Sequence, residues 1–221
     1  NFVENFYGNI LNLKRIPNVQ LPENRLMIRY IAGESELKFI VDKKNESLVN
    51  NKPSKFYGIA KLTLYFPIES KDKILNRLRE NQLEILNYEE NIINNINTIK
   101  IDLLDFEKNA IELIFIKEEF RHYKYNYSKI NVNVSDLTEA DNYFNKTLGL
   151  EKINLPNENM YKMGKTLIGV DKNINSKNNY VGMPNEIIGM SLIQFVVKDI
   201  TFSRNEILKR GGEIYIEPYK I

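Results

Sequence analysis

Few side chains in this sequence can carry chemistry, and the scarcity is itself informative. The chain holds no Cys and a single His, His122. Disulfides, thiolate metal sites, Cys nucleophiles and any reaction needing two imidazoles are therefore excluded. Oxygen and ammonium groups remain. Two glutamates stand inside alternating apolar runs, Glu36 in ESELKFIVD and Glu112 in NAIELIF, and Lys129 opens the run KINVNV. A period of two puts each on one face of a strand. A carboxylate so placed either faces solvent or offers its oxygens to a cation or a proton, and both readings stay open at this point. Lys129 reads first as an exposed strand residue, because an ammonium has three donors and no acceptor. His122 lies in EEFRHYKYNY, a charged and aromatic stretch that reads as a surface connector.

Such groups need elements to hold them, and the chain builds these by duplication. NFYGNILNLKRI (Asn5–Ile16) and NYFNKTLGLEKI (Asn142–Ile153) align without a gap. The first copy carries the i, i+3, i+4, i+7 stripe of a helix over residues 1–14. The second has clearer ends, with Ser135 or Asp136 as cap, Glu139 in the first turn and Gly149 closing it. The strand KINVNV precedes this helix, with Ile130, Val132 and Val134 on one face. Short alternating segments follow each helix: 25–31 and 36–42 around the turn AGES, then 160–163 and 165–170 around Gly164. A second pair, LTLYFPIESKDKILNRLREN (62–81) and LIQFVVKDITFSRNEILKRG (192–211), also aligns without a gap and reads as strand, turn, helix. Glu84 and Glu213 each open a further strand, and IKIDLLDFEKNAIELIFIK closes the first pair as a hairpin turning near Glu107 to Asn109. The result is an α+β chain of tandem βαβββ modules. The domains expected are 1–120 (modules 1–57 and 58–117) and 127–221 (modules 127–180 and 189–221). Since residue 1 is not Met and the outer modules lack strands, the sequence reads as part of a longer product.

Composition narrows the class. Apolar residues make up 43% and charged residues 27%, enough for a packed core. No apolar run reaches the roughly 18 residues of a membrane span. A net charge of +2 lacks the footprint of a nucleic-acid binder. The chain is expected to be intracellular, cytoplasmic or organellar, and a monomer or homodimer without nucleic-acid or membrane partners.

INVNVSDLTEADNYFNKTLGL resembles the strand, "V-x-D-L" turn and "F-Y-x-x-x-L-G" helix of the vicinal oxygen chelate superfamily. DFEKNAIELIF is similar to that family's closing "D-P-x-G-N-x-I-E-L" hairpin, with Phe106 for Pro and Lys108 for Gly. ESELKFIVD resembles its "I-E-L-T-Y-N" strand. Within the superfamily the chain looks like a two-domain glyoxalase I-like protein. The resemblance implies two cupped mixed sheets, each made from a pair of modules, with module two sharing a cup with module three. It also implies a divalent metal, zinc or nickel, that polarises a substrate carbonyl while a ligand carboxylate moves a proton. The substrate implied is the hemithioacetal of methylglyoxal and glutathione, acted on by a lactoylglutathione lyase.

Carried over residue by residue, the ligand pattern is broken. Glu36 and Glu112 match carboxylate ligands and would be the catalytic and metal-binding residues. Lys129, Leu62 and Leu192 occupy would-be ligand positions, and Leu167 or Ile168 stands where a fourth-strand carboxylate belongs. Gln194 could serve only with a register slip of two. Two positions that help hold glutathione are Ile40 and Asn133. The expectation is a glyoxalase-like protein with a degraded metal site, weak or absent isomerase activity, no cofactor and a small molecule in the cup. An active metal-dependent lyase is the alternative. An epimerase or dioxygenase of the same superfamily comes third, since ring cleavage normally uses two His and a carboxylate around iron. The pairing of modules two and three would also bring Glu112 near Lys129, an ion pair in place of a metal.

Overall fold

The computed structural model describes residues 1–41, 57–93, 96–117, 128–155, 158–173 and 189–219. A helix at Glu4–Ile10 leads into β1 (Lys14–Gln20), β2 (Leu26–Ala32) and β3 (Ser35–Val41), an antiparallel three-stranded sheet. Then come β4 (Gly58–Pro67), the helix Lys71–Glu80, β5 (Ile85–Ile93), β6 (Ile96–Leu104) and β7 (Ala110–Ile116). The next unit is β8 (Ser128–Val134), a helix at Leu137–Asp141 that continues through Asn142–Thr147, β9 (Glu151–Leu155), β10 (Glu158–Met163) and β11 (Thr166–Lys172). A helix at Ile200–Lys209 is the last element.

β4 to β11 form one eight-stranded sheet in the order β5-β6-β7-β4-β8-β11-β10-β9. β4 runs parallel to β7 and β8 parallel to β11, while β4 and β8 meet antiparallel at the centre. Two βαβββ units thus lie side by side across an approximate twofold, as the α+β reading expects. Their strands come from both sides of the connector at 118–127.

The duplication persists in the hydrogen bonds. At the end of the first helix Leu11 N–H donates to Phe6 C=O at 3.0 Å and Leu13 N–H to Tyr7 C=O at 2.9 Å. The second copy repeats both at the aligned positions, Leu148 to Tyr143 at 2.9 Å and Leu150 to Phe144 at 3.0 Å. Each pattern needs a left-handed residue, which is Asn12 (φ 57°) in one copy and Gly149 (φ 73°) in the other. Asn is one of the few side chains that tolerate this region. Asp136 is the second helix's cap, its carboxylate accepting from Thr138 N–H at 2.7 Å and Glu139 N–H at 3.0 Å. The two glycine turns, at Gly33 and Gly164, also meet: Glu34 pairs with Lys165, and Ser35 shares a short hydroxyl contact with Thr166. Aligned residues touch each other, as at a twofold interface.

Helices cover one face of the large sheet. Leu62, Leu64, Phe66, Ile111, Leu113 and Phe115 pack there with Phe6, Ile10, Ile74 and Leu78. Farther along, Val132, Ile168, Val170 and Tyr161 pack with Ala140 and Phe144. Ile130 contacts both clusters. The alternate residues of the same strands point to the opposite face, which carries no helix among the described residues and is called helix-free in that sense.

Several expectations change. β1 and β9 were not located from sequence. In β1, the charged start (Lys14, Arg15) and Pro17 hide the period, and the strand is almost wholly exposed. The stretch Leu192–Val197, expected as a strand, forms no ladder among the described residues, nor does the segment after Glu213. A strand exists only with a neighbour, and the described chain offers these none. The helices Lys71–Glu80 and Ile200–Lys209 follow Ser70 and Asp199 respectively. Counted from those caps, Leu192 corresponds to Thr63, so the gapless alignment was one residue out. His122 lies outside the described residues.

Candidate site on the helix-free face of the large sheet

Strand register lays one row of side chains across the whole sheet. Asn87 pairs with Asp102, Asp102 with Glu112, Glu112 with Thr63, Thr63 with Lys129, Lys129 with Leu167, Leu167 with Lys162 and Lys162 with Glu151. Paired residues share a face, and this row lies opposite the helices. The approximate twofold between β4 and β8 exchanges Thr63 with Lys129 and Glu112 with Leu167. These four positions are the centre of the sheet.

Glu112 is 4% exposed, and both its oxygens are engaged. Lys61 Nζ donates to Oε2 at 2.8 Å, and Thr63 Oγ1, itself fully buried, donates to Oε1 at 2.7 Å. Lys100 Nζ stands 3.8 Å from Oε2 and also lies 3.7 Å from Asp102 and 3.3 Å from Glu89. Lys61 reaches Asp102 at 3.6 Å. The result is a ladder of alternating charge over β4, β5, β6 and β7. Burial pushes the Glu112 carboxyl up. The Lys61 charge and hydrogen bond, the Thr63 hydroxyl and the field of Lys129 outweigh it and hold the group below its ordinary value. For Lys100 burial acts downward, but Asp102, Glu89 and Glu112 raise its pKa on balance.

The anticipated site residues do not converge. Glu36 lies on β3 in the other sheet, exposed, 3.4 Å from Arg29 and 3.9 Å from Lys38. Leu62 is 6% exposed and packs in the helix-side core, so Thr63 and not Leu62 stands at the centre. Leu192 is 66% exposed. Leu167 is the central residue of β11, since Ile168 belongs to the helix side. Lys129 does sit in the same row as Glu112, but Thr63 lies between them and Lys61 makes the direct ion pair. Gln194 accepts from Lys38, which sets the segment after Gly189 beside β3. Lys61, Thr63, Lys100 and Asp102 were missed. The alternation K-x-T in AKLTL and K-x-D in IKIDLL would have placed each pair on a single strand face.

This donor set does not fit a divalent ion. Among the described residues no group of three or more His, Cys, Asp or Glu side chains could hold a metal ion, and the carboxylates of Glu89, Asp102 and Glu112 gather around the Lys100 ammonium instead. The buried Glu112 carboxylate is already engaged by the Lys61 ammonium and the Thr63 hydroxyl, and the other two of the central four are an ammonium, Lys129, and a hydrocarbon, Leu167. No helix among the described residues is long and apolar enough to cross a membrane.

No family model and no curated protein matches the chain. Solved structures do. A glyoxalase I variant from Zea mays aligns with TM-score 0.56 and 13% identity, over 76% of this chain and 62% of that one. A protein provisionally described as a dioxygenase from Bacillus subtilis subsp. subtilis str. 168 aligns with TM-score 0.54 and 10% identity, over 76% and 58%. The chain has the vicinal oxygen chelate fold. It spans about three fifths of the length of each of these two neighbours. Within the vicinal oxygen chelate fold, Glu112 lies on the fourth strand of its unit, counting β4 as the first, where the resemblance places a ligand carboxylate. Lys108, in the motif's Gly position, adopts φ 67°, so the backbone of the closing hairpin is kept although its glycine is not. Asp105 holds that hairpin, accepting from Glu107 N–H, Asn109 N–H, Asn109 Nδ2 and Tyr7 Oη, each at 2.9 Å.

Proposed function

We propose that the chain is a glyoxalase I-like member of the vicinal oxygen chelate superfamily whose large-sheet site has lost its metal, with isomerase activity weak or absent. On this reading the helix-free face is kept for a small molecule. The observation that supports it is the double engagement of Glu112. To ligate a cation, this carboxylate would have to give up Lys61 and Thr63 and accept a divalent charge beside three ammonium groups. A ligand carboxylate that must also move a proton does so less readily while both oxygens accept from Lys61 and Thr63.

The test is elemental analysis of dialysed protein, then a methylglyoxal–glutathione isomerase assay with added zinc or nickel. The expected result is substoichiometric metal and no metal-dependent turnover. Stoichiometric metal together with turnover would replace this reading with that of an active lactoylglutathione lyase. Glu36 favours that second reading in one respect: Gln194 lies next to it through Lys38, so two oxygen donors from the outer modules share a neighbourhood. Loss of turnover in Glu36→Gln but not in Glu112→Gln would locate such an activity on the smaller sheet.

A further inference from the structure

We propose that the outer edge of β3 is a strand-acceptor site. Its occupant is an extended peptide segment, apolar at alternate residues, that joins the smaller sheet parallel to β3. This does not depend on the metal-free reading of the larger sheet. β3, β7 and β11 close three like units. β7 takes β4 as a parallel neighbour and β11 takes β8, whereas β3 takes none among the described residues. The core registers the difference. Ile111, Leu113 and Phe115 of β7 and Ile168 of β11 are fully buried. Leu37, Phe39 and Val41, the core-facing row of β3, are only partly buried against the same cluster as the β7 residues. One flank of that row is uncovered, and a strand laid beside β3 would cover it. The N–H and C=O groups that point outward along the edge would supply the ladder.

The far wall of the slot is the segment Leu192–Val197, which forms no ladder among the described residues. Ile193 and Phe195 pack on the cluster of Val132 and Ile168, while Leu192 and Val196 are exposed. Between them Gln194 accepts from Lys38 of β3. In the large sheet β4 lies between β7 and β8, parallel to the first and antiparallel to the second. β3 and Leu192–Val197 are the corresponding last and first strands of the outer units, but side chains join them where backbone would. Strands on either side of a third stand about 9.5 Å apart, a span that a lysine and a glutamine together can bridge. Ladder bonds to β3 would hold the occupant, and its alternate apolar residues would extend the row of Leu37 and Phe39. On the other face, its residue in register with Glu36 would join Glu36 as Thr63 joins Glu112. The occupant therefore also sets the chemistry beside Glu36.

Hydrogen exchange of the full chain, titrated with a synthetic peptide, tests this. The probe is SKINVNV, the sequence of Ser128–Val134, which β11 accepts in parallel. Outward amides of Ser35–Val41 should slow saturably, by about tenfold with peptide at ten times its Kd. A peptide carrying Ile130→Asp, Val132→Asp and Val134→Asp should leave them unchanged. Alternate N–H groups of an edge strand point outward, so one of Lys38→Pro and Phe39→Pro removes an outward donor. That variant should fold and lose the effect of the peptide, with its unfolding midpoint showing that the loss is local. No saturable slowing, or equal slowing by the Asp peptide, overturns the proposal. So do β3 amides that, without peptide, exchange as slowly as those of β7, since the chain would then fill the edge itself. Slowing that follows protein concentration and dimer formation in sedimentation, again without peptide, overturns it in favour of a second copy.

Discussion

Glu36 and Glu112 begin as near-identical sequence signals, one in S-E-L-K and the other in I-E-L-I, yet they end in opposite environments. β7 lies between β6 and β4, so Glu112 is walled by Asp102 and Thr63 and is almost wholly buried. Among the described residues β3 is the outer strand of a three-stranded sheet, so Glu36 has a ladder partner on one side only, and it is an exposed residue paired with Arg29 and Lys38. Alternation tells which face a residue takes. Whether that face is wet depends on how many strands flank it, and this is decided by pairing between distant parts of the chain. The same carboxylate is structural in one place and incidental in the other.

Removing Lys61 should separate the two most sharply. Lys61→Met leaves Glu112 buried with only Thr63 bonded to it, and a buried charge that loses its partner destabilises by several kcal/mol. The expected loss is about 3 kcal/mol, at the low end of the usual range because Lys100 and Lys129 remain close. Denaturant unfolding measures it. The double variant Lys61→Met with Glu112→Leu should recover much of the loss, since no charge is then stranded. A double variant no better than the single one would mean that Lys61 acts through packing and not through its charge.

Acid should act on Glu112 next. Its carboxyl is depressed in the folded protein relative to an ordinary Glu. The linked stability is fully present above the unfolded value, about 4.3, and is lost as pH falls through the folded value. Glu112→Gln should therefore flatten the acid limb of the stability curve. An acid limb unchanged by Glu112→Gln would place the proton-linked group elsewhere.

How much of this could be read in advance follows the range of the interactions. Helix ends are local, and Asp136, Gly149 and the repeated helix were visible because a few neighbouring residues determine them. Asn12 kept the same turn with a different residue. The eight-stranded sheet was accessible only as a duplication, and its central row was not. Thr63 was passed over in favour of Leu62 because a one-residue alignment error reverses the face of a strand. The ladder of Lys61, Lys100 and Asp102 joins three strands, and no sequence window spans it. Leu192 to Val197 carries every local mark of a strand, yet pairing decides.

The smallest effect belongs to Glu36, and it bears on the comparison because it should be nearly nothing. Its partners Arg29 and Lys38 are exposed enough to be screened, and ion pairs of this kind contribute between zero and about 1 kcal/mol. Glu36→Gln should shift stability by no more than about 0.5 kcal/mol, and moderate salt should erase even that. A larger effect in a double-mutant cycle with Arg29→Met would show that the smaller sheet's face is covered in solution, which would put Glu36 in the same class as Glu112. A null result leaves the edge position of β3 as sufficient reason for the difference, since strand alternation and side-chain type are shared by the two sites.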